Sequence, residues 1–323
     1  MSRAKKCLII IAAACVFLGL VISFSALAKE HFNINVFTIT GETVEPETNE
    51  SGTVINEQGK TRYQTKTFDL DEEFDKIKVD TDVCDVKVEK SPDGKKRVII
   101  FDETADGIET SVGIADNMLK VVRRDPRNFY SKIGVFQTST ITVQLSEAAY
   151  GELEIQNMSG DTYFSEGITV NEIKASTLSG DIASYAQAEK DFSAKTASGS
   201  LKLNNINASD ELLAEAKSGD ITLNNVVAGK ITAQSASGDI SMRNVVSKGE
   251  MMVQTASADI TLDLCDAKSL NLKSASGDIE GTLLSDKIFV THSASGDIRV
   301  PESKGEQICQ ISTASGDIDI IIR

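Results

Sequence analysis

Eight aspartates recur at almost even spacing through the second half of the chain: Asp161, Asp181, Asp220, Asp239, Asp259, Asp278, Asp297 and Asp317. Most close a Ser-Gly-Asp triplet. The triplets are Ser159-Gly160-Asp161, Ser179-Gly180-Asp181, Ser218-Gly219-Asp220, Ser237-Gly238-Asp239, Ser276-Gly277-Asp278, Ser295-Gly296-Asp297 and Ser315-Gly316-Asp317. Two degenerate copies, TASGSL at 196–201 and TASADI at 255–260, complete a set of nine. Rows of Ser and Asp could serve nucleophilic or acid–base catalysis, metal binding, or hydrogen-bond capping of turns.

Catalysis by Ser needs a base beside it. The chain has two histidines, His31 and His292. His292 precedes Ser295 by three residues and reads as an incidental surface residue. No G-x-S-x-G, H-E-x-x-H, G-x-G-x-x-G or P-loop pattern occurs. Carboxylates are too widespread for the sequence to single out a glycosidase pair. A catalytic constellation is singular, whereas here each notable polar residue recurs as a column. We therefore expect no catalytic residues and no enzymatic activity. The metal reading is a calcium ladder through Asp220, Asp239, Asp259, Asp278 and Asp297. Known calcium loops supply several oxygens per turn, and this chain offers one Asp per repeat, so no cofactor is expected and calcium is the weaker alternative. Stacked carboxylates about 4.8 Å apart repel by roughly 0.9 kcal/mol in water. That is tolerable on a surface, and better if each oxygen accepts a turn N–H.

The elements that position these residues follow from the period. Successive hexapeptide serines lie 19 or 20 residues apart, the mark of stacked repeats. Three and five residues past each Ser come apolar pairs such as Ile221/Leu223 and Ile240/Met242; six and four before it come Ile173/Ala175, Phe192/Ala194, Ile231/Ala233 and Leu270/Leu272. Both pairs alternate as strands do, but with opposite parity, so a corner must fall in the Ala-Ser-Gly stretch. ASDELLAEAK at 208–217 has helical propensity, yet Leu212 and Ala214 hold the inward register and favour a strand. Asn204-Asn205, Asn224-Asn225 and Asn244 mark a second turn, where Asn suits left-handed backbone and can bond to the Asn above it. The expected fold is all-β: a right-handed parallel β-solenoid with rungs of about 20 residues, its nine regular rungs making a rod roughly 40 Å long. The chain stops at DIDIIIR (317–323) within a rung, which predicts an open apolar edge there, either capped by the chain itself or paired with a partner or second copy.

Five segments are expected. Residues 1–7 carry Arg3, Lys5 and Lys6, and 8–28 have no charge. As a helix, 8–28 would span about 31 Å, enough to cross a bilayer with the basic end inside. We read it as a single-pass anchor that leaves the rest extracytoplasmic at the cell membrane. Cleavage after Ala28, in Ala26-Leu27-Ala28, is the alternative and would secrete the same domain. Residues 29–66 read as a polar linker, although HFNINVFTI (31–39) alternates like a strand. Residues 67–150 read as irregular β rungs, with Cys84 of DVCDV in the Gly position of a degenerate hexapeptide and RRDPRNFYSKIG (123–134) as a basic loop. Residues 151–323 are the regular rungs. Cys84, Cys265 and Cys309 show no metal or disulfide pattern and read as small buried residues. A net charge of −15 and the absence of a basic face argue against nucleic acid as a partner.

The apolar N-terminal segment, FDKIKVDTDVCDVKVEK, the junction ITVQLSEAAYGELEIQNMSGD and the TASGDI repeats resemble a bacterial family of adhesin-like β-strand-repeat domains, LiaG-like cell-envelope proteins among them, over roughly 67–323. The resemblance implies an extracytoplasmic β-solenoid and brings no catalytic residues. It points to a non-catalytic binding scaffold whose partner is a cell-wall polymer or another envelope protein. The alternative role is an accessory in envelope-stress signalling.

Overall fold

The computed structural model describes residues 48–55, 61–104, 107–126 and 138–323. The apolar segment 8–28, the strand expected at 31–39 and residues 127–134 of the basic loop lie outside them. Among the described residues there are twenty-three strands and no helix.

The centre of the molecule is a parallel coil. Strands β9 (Tyr150–Ser159), β11 (Thr169–Ser179), β13 (Gln187–Ser198) and β15 (Asn207–Ser218) stack with Ser159, Ser179, Ser198 and Ser218 in register. Between them the chain turns into β10 (Thr162–Phe164), β12 (Ile182–Ser184) and β14 (Leu201–Asn204), which stack beside the first set. Further on, β16 (Ile221–Ser235), β17 (Ile240–Gln254) and β18 (Ile260–Lys273) each run from one corner past the Asn turn to the next. The inward columns are those of the sequence: Ile173/Phe192/Leu212/Ile231/Met251/Leu270 on one side and Ile182/Leu201/Ile221/Ile240/Ile260 on the next, all essentially inaccessible. A third side adds Ile206, Val226, Val245 and Cys265. Residues 208–217 lie in β15, so register overrides helix propensity there.

The Asn turn has the expected backbone. Asn205, Asn225 and Asn244 have φ of 56°, 54° and 51°, and the side-chain amides of Asn225 and Asn244 each donate to the Asn below at 3.0 Å. The next residue in this column is Leu264, also left-handed at φ 56°. A branched apolar residue pays about 1 kcal/mol for that conformation. Leu264→Asn removes the strain and extends the amide ladder, so it should raise the unfolding free energy by about 1–2 kcal/mol, read from the urea midpoint.

The coil does not stack in chain order at its ends. Near the N-terminus, β3 (Lys76–Val83) and β4 (Asp85–Lys90) form a rung directly beneath β9 and β10. On its other side lie β7 (Met118–Arg124) and β8 (Thr140–Leu145), which come later in the chain. Antiparallel strands then close this end: β6 (Glu109–Ala115) on β7, and β5 (Arg97–Glu103), β2 (Thr61–Asp69) and β1 (Thr48–Ile55) outward from β8. Residues 67–150 are thus partly rungs and partly an antiparallel cap. Strands also enter the stretch expected as linker, at Thr48–Ile55 and from Thr61.

The C-terminal end shows the same exchange. After β19 (Ile279–Leu283) the chain forms β20 (Lys287–Ser293) and β21 (Ile298–Arg299), then β22 (Gln307–Thr313) and β23 (Ile318–Ile322). Strands β22 and β23 pair with β18 and β19 on one side and with β20 and β21 on the other. The expected open edge at DIDIIIR is therefore interior, with Ile318 and Ile320 buried, and the terminal rung is β20–β21. Identical hexapeptides carry no information about stacking order. Burial favours placing the more apolar strand, Ile318–Ile322, inside. The segment 300–306 crosses back over the end, and Ser303 Oγ accepts the Phe289 N–H at 3.0 Å.

Cys84, Cys265 and Cys309 are free and buried. Burial pushes their thiols up from 9.0, to about 12 for Cys84 and Cys309 and about 11 for Cys265. The unfolded chain ionises first, so the folded state keeps this stability below pH 9 and loses it as pH rises through 11 to 12. At pH 10 each thiol should cost about 1 kcal/mol. Cys265→Val, which matches Val226 and Val245 in its column, should flatten the alkaline side of the stability curve.

Candidate functional site

Each hexapeptide forms a corner where two sides of the coil meet. The corner is too tight for a side chain at its Gly: a Cβ on Gly180 would lie 2.1 Å from the carbonyl oxygen of Gly160, and one on Gly219 1.9 Å from that of Gly199. Cys84 begins this column, opposite Gly160, as the sequence indicated.

The Asp column is exposed on most rungs and is bonded along the stack. The Asp161 N–H donates to Asp85 Oδ1 at 2.9 Å, Asp181 to Asp161 at 2.8 Å, Asp239 to Asp220 at 3.0 Å, Asp259 to Asp239 at 3.1 Å and Asp278 to Asp259 at 2.8 Å. Beyond Asp278 the order changes. Asp317 donates to Asp278 and Asp297 to Asp317, each at 2.8 Å, so Asp278 and Asp297 of the calcium reading are not neighbours. Ser200 interrupts the row: its N–H reaches Asp181 at 2.8 Å, but it has no carboxylate to offer the rung above. Elsewhere a rung presents one carboxylate, and from Asp85 to Asp317 each such carboxylate has one oxygen engaged by the next rung. Among the described residues, no group of three or more His, Cys, Asp or Glu converges. His292 lies exposed on β20, and no hydrogen bond joins it to Ser295 among the described residues.

A second row lies inside the corner, outside the set of residues that the sequence singles out. Two residues before the Ser on several rungs stands a hydroxyl that donates to the Gly-column carbonyl of the neighbouring rung: Thr196 to Gly180 at 3.2 Å, Ser235 to Gly219 at 3.1 Å, Ser274 to Ala258 at 3.0 Å and Thr313 to Gly277 at 3.1 Å, whereas Ala216 has no hydroxyl to give and Thr177 Oγ1 is buried without a partner. The signal was the near-constant Thr or Ser at that position. Asn157 plays the part lower down, donating to the Cys84 carbonyl at 2.8 Å.

Arg123 occupies the same inward column on the outermost parallel rung, paired with Thr81. It is 2% exposed and, with Arg124, ends strand β7, where the sequence reading places the start of the basic loop 123–134. Its guanidinium grips Asp102 through two bonds of 2.7 and 2.9 Å, and donates to Asp82 Oδ1 and the Val83 carbonyl at 3.0 Å each. Ser139, which bonds Asp102 at 2.6 Å, closes the cluster. An open cleft of about 380 Å³ borders it, floored by Phe68 and Ile100 and edged by Lys66 and Glu109. Asp102 also lines this cleft but is committed to Arg123.

One flank differs from the rest. Lys87, Tyr163, Ala183 and Lys202 stand in register on four successive rungs and point outward. Tyr163 is 39% exposed, with its ring centroid 6.1 Å from that of Tyr185. Elsewhere this outward column carries small polar residues such as Thr222, Ser241 and Thr261. The pair forms an aromatic ledge between two lysines that make no ion pair among the described residues.

Coil, corner and bonded Asp row together define a repeat-built β-solenoid. The Toastrack family profile (DUF4097) matches residues 74–244 and 207–323, and the chain belongs to that family. No curated protein matches it. Among solved structures, a "putative adhesin" from Bacteroides fragilis NCTC 9343 is 17% identical, over 80% of this chain and 97% of its own, with a TM-score of 0.48. A second, from Parabacteroides distasonis ATCC 8503, is 13% identical over 80% and 97%, with a TM-score of 0.41. A third, from Parabacteroides merdae ATCC 43184, is 11% identical over 80% and 96%, with a TM-score of 0.42.

Proposed function

We propose that this chain is a membrane-anchored, extracytoplasmic scaffold that binds and does not catalyse, its right-handed coil presenting a flank to a cell-wall polymer. The observation that carries this reading is the use of the repeated polar groups. The Asp row and the inner hydroxyls are spent on rung-to-rung hydrogen bonds, which leaves a rigid lattice with the Tyr163–Tyr185 ledge on its side. Sugar rings stack on exposed tyrosines through their C–H faces, and Lys87 and Lys202 can donate to hydroxyls at either end of the ledge. The uncharged run 8–28 behind Arg3, Lys5 and Lys6 supports anchoring with the coil outside; cleavage after Ala28 would release the same coil. With an envelope protein such as a stress sensor as partner, the same flank would serve the signalling alternative. No metal takes part, so calcium and chelator should leave the melting temperature unchanged.

The chain has no Trp and five Tyr, two of them on the ledge, so the part of the tyrosine emission change that is lost in Tyr163→Ala reports on the ledge. Full-length protein in detergent is titrated with solubilised peptidoglycan fragments. The expected result is a saturable change in tyrosine emission, with binding weakened about tenfold or more by Tyr163→Ala. A flat titration, or equal binding by Tyr163→Ala, would overturn the reading.

A further inference from the structure

We infer that the break in the Asp row at Ser200 is a carboxylate-binding site, in which an acid group carried on a sugar chain takes the part of an aspartate. The row itself shows what such a position does. At eight steps a backbone N–H on one rung donates to a carboxylate on the rung before it, at 2.8–3.1 Å. The step from Ser200 to Asp220 is the exception among the described residues. TASGSL at 196–201 has Ser where the other hexapeptides have Asp, and the Asp220 N–H is left without an acceptor in the protein. A backbone N–H is a strong donor that the rest of this row always employs.

Three unused donors meet at the break. Ser200 and Lys202 flank the buried Leu201, so both point outward on one side of the coil. The Ser200 hydroxyl makes no hydrogen bond and the exposed Lys202 ammonium makes no ion pair among the described residues. A carboxylate seated where the row's next member would sit accepts the Asp220 N–H, and meets the Ser200 hydroxyl and the Lys202 ammonium beside it. It also faces Asp181 and Asp220, one rung away on either side at about 4.8 Å. The row keeps that spacing throughout, and both carboxylates already have an oxygen engaged, Asp181 by the Ser200 N–H and Asp220 by the Asp239 N–H. A planar, singly charged carboxylate suits this place. A phosphate dianion would meet about twice the repulsion from each side.

The sugar chain follows from the neighbouring surface. Ala183 stands between Tyr163 and Lys202 in their column, a small residue that leaves the way open from the Tyr163–Tyr185 ledge to the break. For its sugar rings the inference rests on the proposed binding of a cell-wall polymer to that ledge; the acid group is held by the break alone. The acid can be a carboxyl of the ring itself or the end of a peptide attached to it.

The test titrates full-length protein in detergent, at constant ionic strength, with two pairs of probes. One pair is trigalacturonate and its carboxyl-reduced neutral form; the other is peptidoglycan fragments with and without their stem peptides. In at least one pair the acid-bearing member should bind about tenfold tighter, and that pair names the carrier, ring or peptide. Ser200→Asp returns a carboxylate to the row, so it should keep or raise the melting temperature and abolish the acid's advantage. If Ser200→Asp folds poorly, Lys202→Thr, which matches Thr222 and Thr261 in its column, takes its place and should cut the advantage about threefold or more. Tyr163→Ala should weaken acid and neutral probes alike, which separates the break from the ledge. Sodium acetate tests the break without any sugar: it should move the Asp220 amide resonance in the wild type and not in Ser200→Asp, while chloride moves neither. Equal binding within both pairs overturns the inference and leaves the ledge standing. An acid advantage that survives Ser200→Asp also overturns it, as does an Asp220 amide that ignores acetate. No binding of any probe, with Asp220 still answering acetate, overturns the ledge and keeps the carboxylate site.

Discussion

Replacing Arg123 by Met is expected to cost about 3–5 kcal/mol of stability, the largest effect of any single substitution considered. The guanidinium is the cation that faces Asp102 and Asp82 in a site closed by β5, β7 and the corner at Val83. Without it, two carboxylates stay inside with their charge uncompensated, and the Val83 carbonyl loses its donor. Urea unfolding followed by circular dichroism would measure the loss. Arg123→Met combined with Asp102→Leu should recover much of it, because removing both charges leaves fewer unpaired groups than removing one. A single substitution costing less than 1 kcal/mol would show that water reaches the cluster.

Gly180→Ala is expected to cost about 2–4 kcal/mol. Two independent obstacles add. At φ 148° the backbone is one that L residues rarely adopt, and the new methyl would lie 2.1 Å from the Gly160 carbonyl. The corner can relieve the contact only by opening, which stretches the bond from the Gly180 N–H to the Ser198 carbonyl, 3.0 Å in the native chain. In a stack of repeats the damage should stay local, so hydrogen exchange should rise in the rungs at Ser159, Ser179 and Ser198 and stay low near Ser257. Uniform exchange along the stack would argue that the rungs unfold as one unit.

Much of the coil was legible because its signals repeat. The apolar pairs on either side of each Ser differ in parity, and that alone places a corner at Ala-Ser-Gly. The Asp carboxylates cap N–H groups, and the Asn residues adopt left-handed backbone, for reasons intrinsic to those side chains. Stacking order was not legible, since SASGDI at 274–279 and SASGDI at 293–298 offer a neighbouring rung the same surface. Order is settled by residues outside the motif, chiefly the strand Ile318–Ile322, whose Ile318 and Ile320 are buried. Arg123 was hidden by the basic residues after it, although Leu119, Val121 and Arg123 alternate and so share the inward face. Strands β1 and β2 lie in polar sequence, and they form by adding to the edge of β5 more than by their own pattern. Tyr163 was readable as outward from its position four residues past Ser159, but its significance depends on Tyr185 standing beside it.

The exchanged order near the C-terminus sets a schedule for biogenesis. Residues 287–299 emerge from the ribosome before 307–322, yet their native neighbours are the later strands. During synthesis the earlier segment must therefore wait undocked, or lie temporarily on β18 and then give way. The last turn to be made lies between β18–β19 and β20–β21, so the native order is completed only after residue 322 has been added. Any chaperone acting on this protein would find its client surface in those few waiting residues.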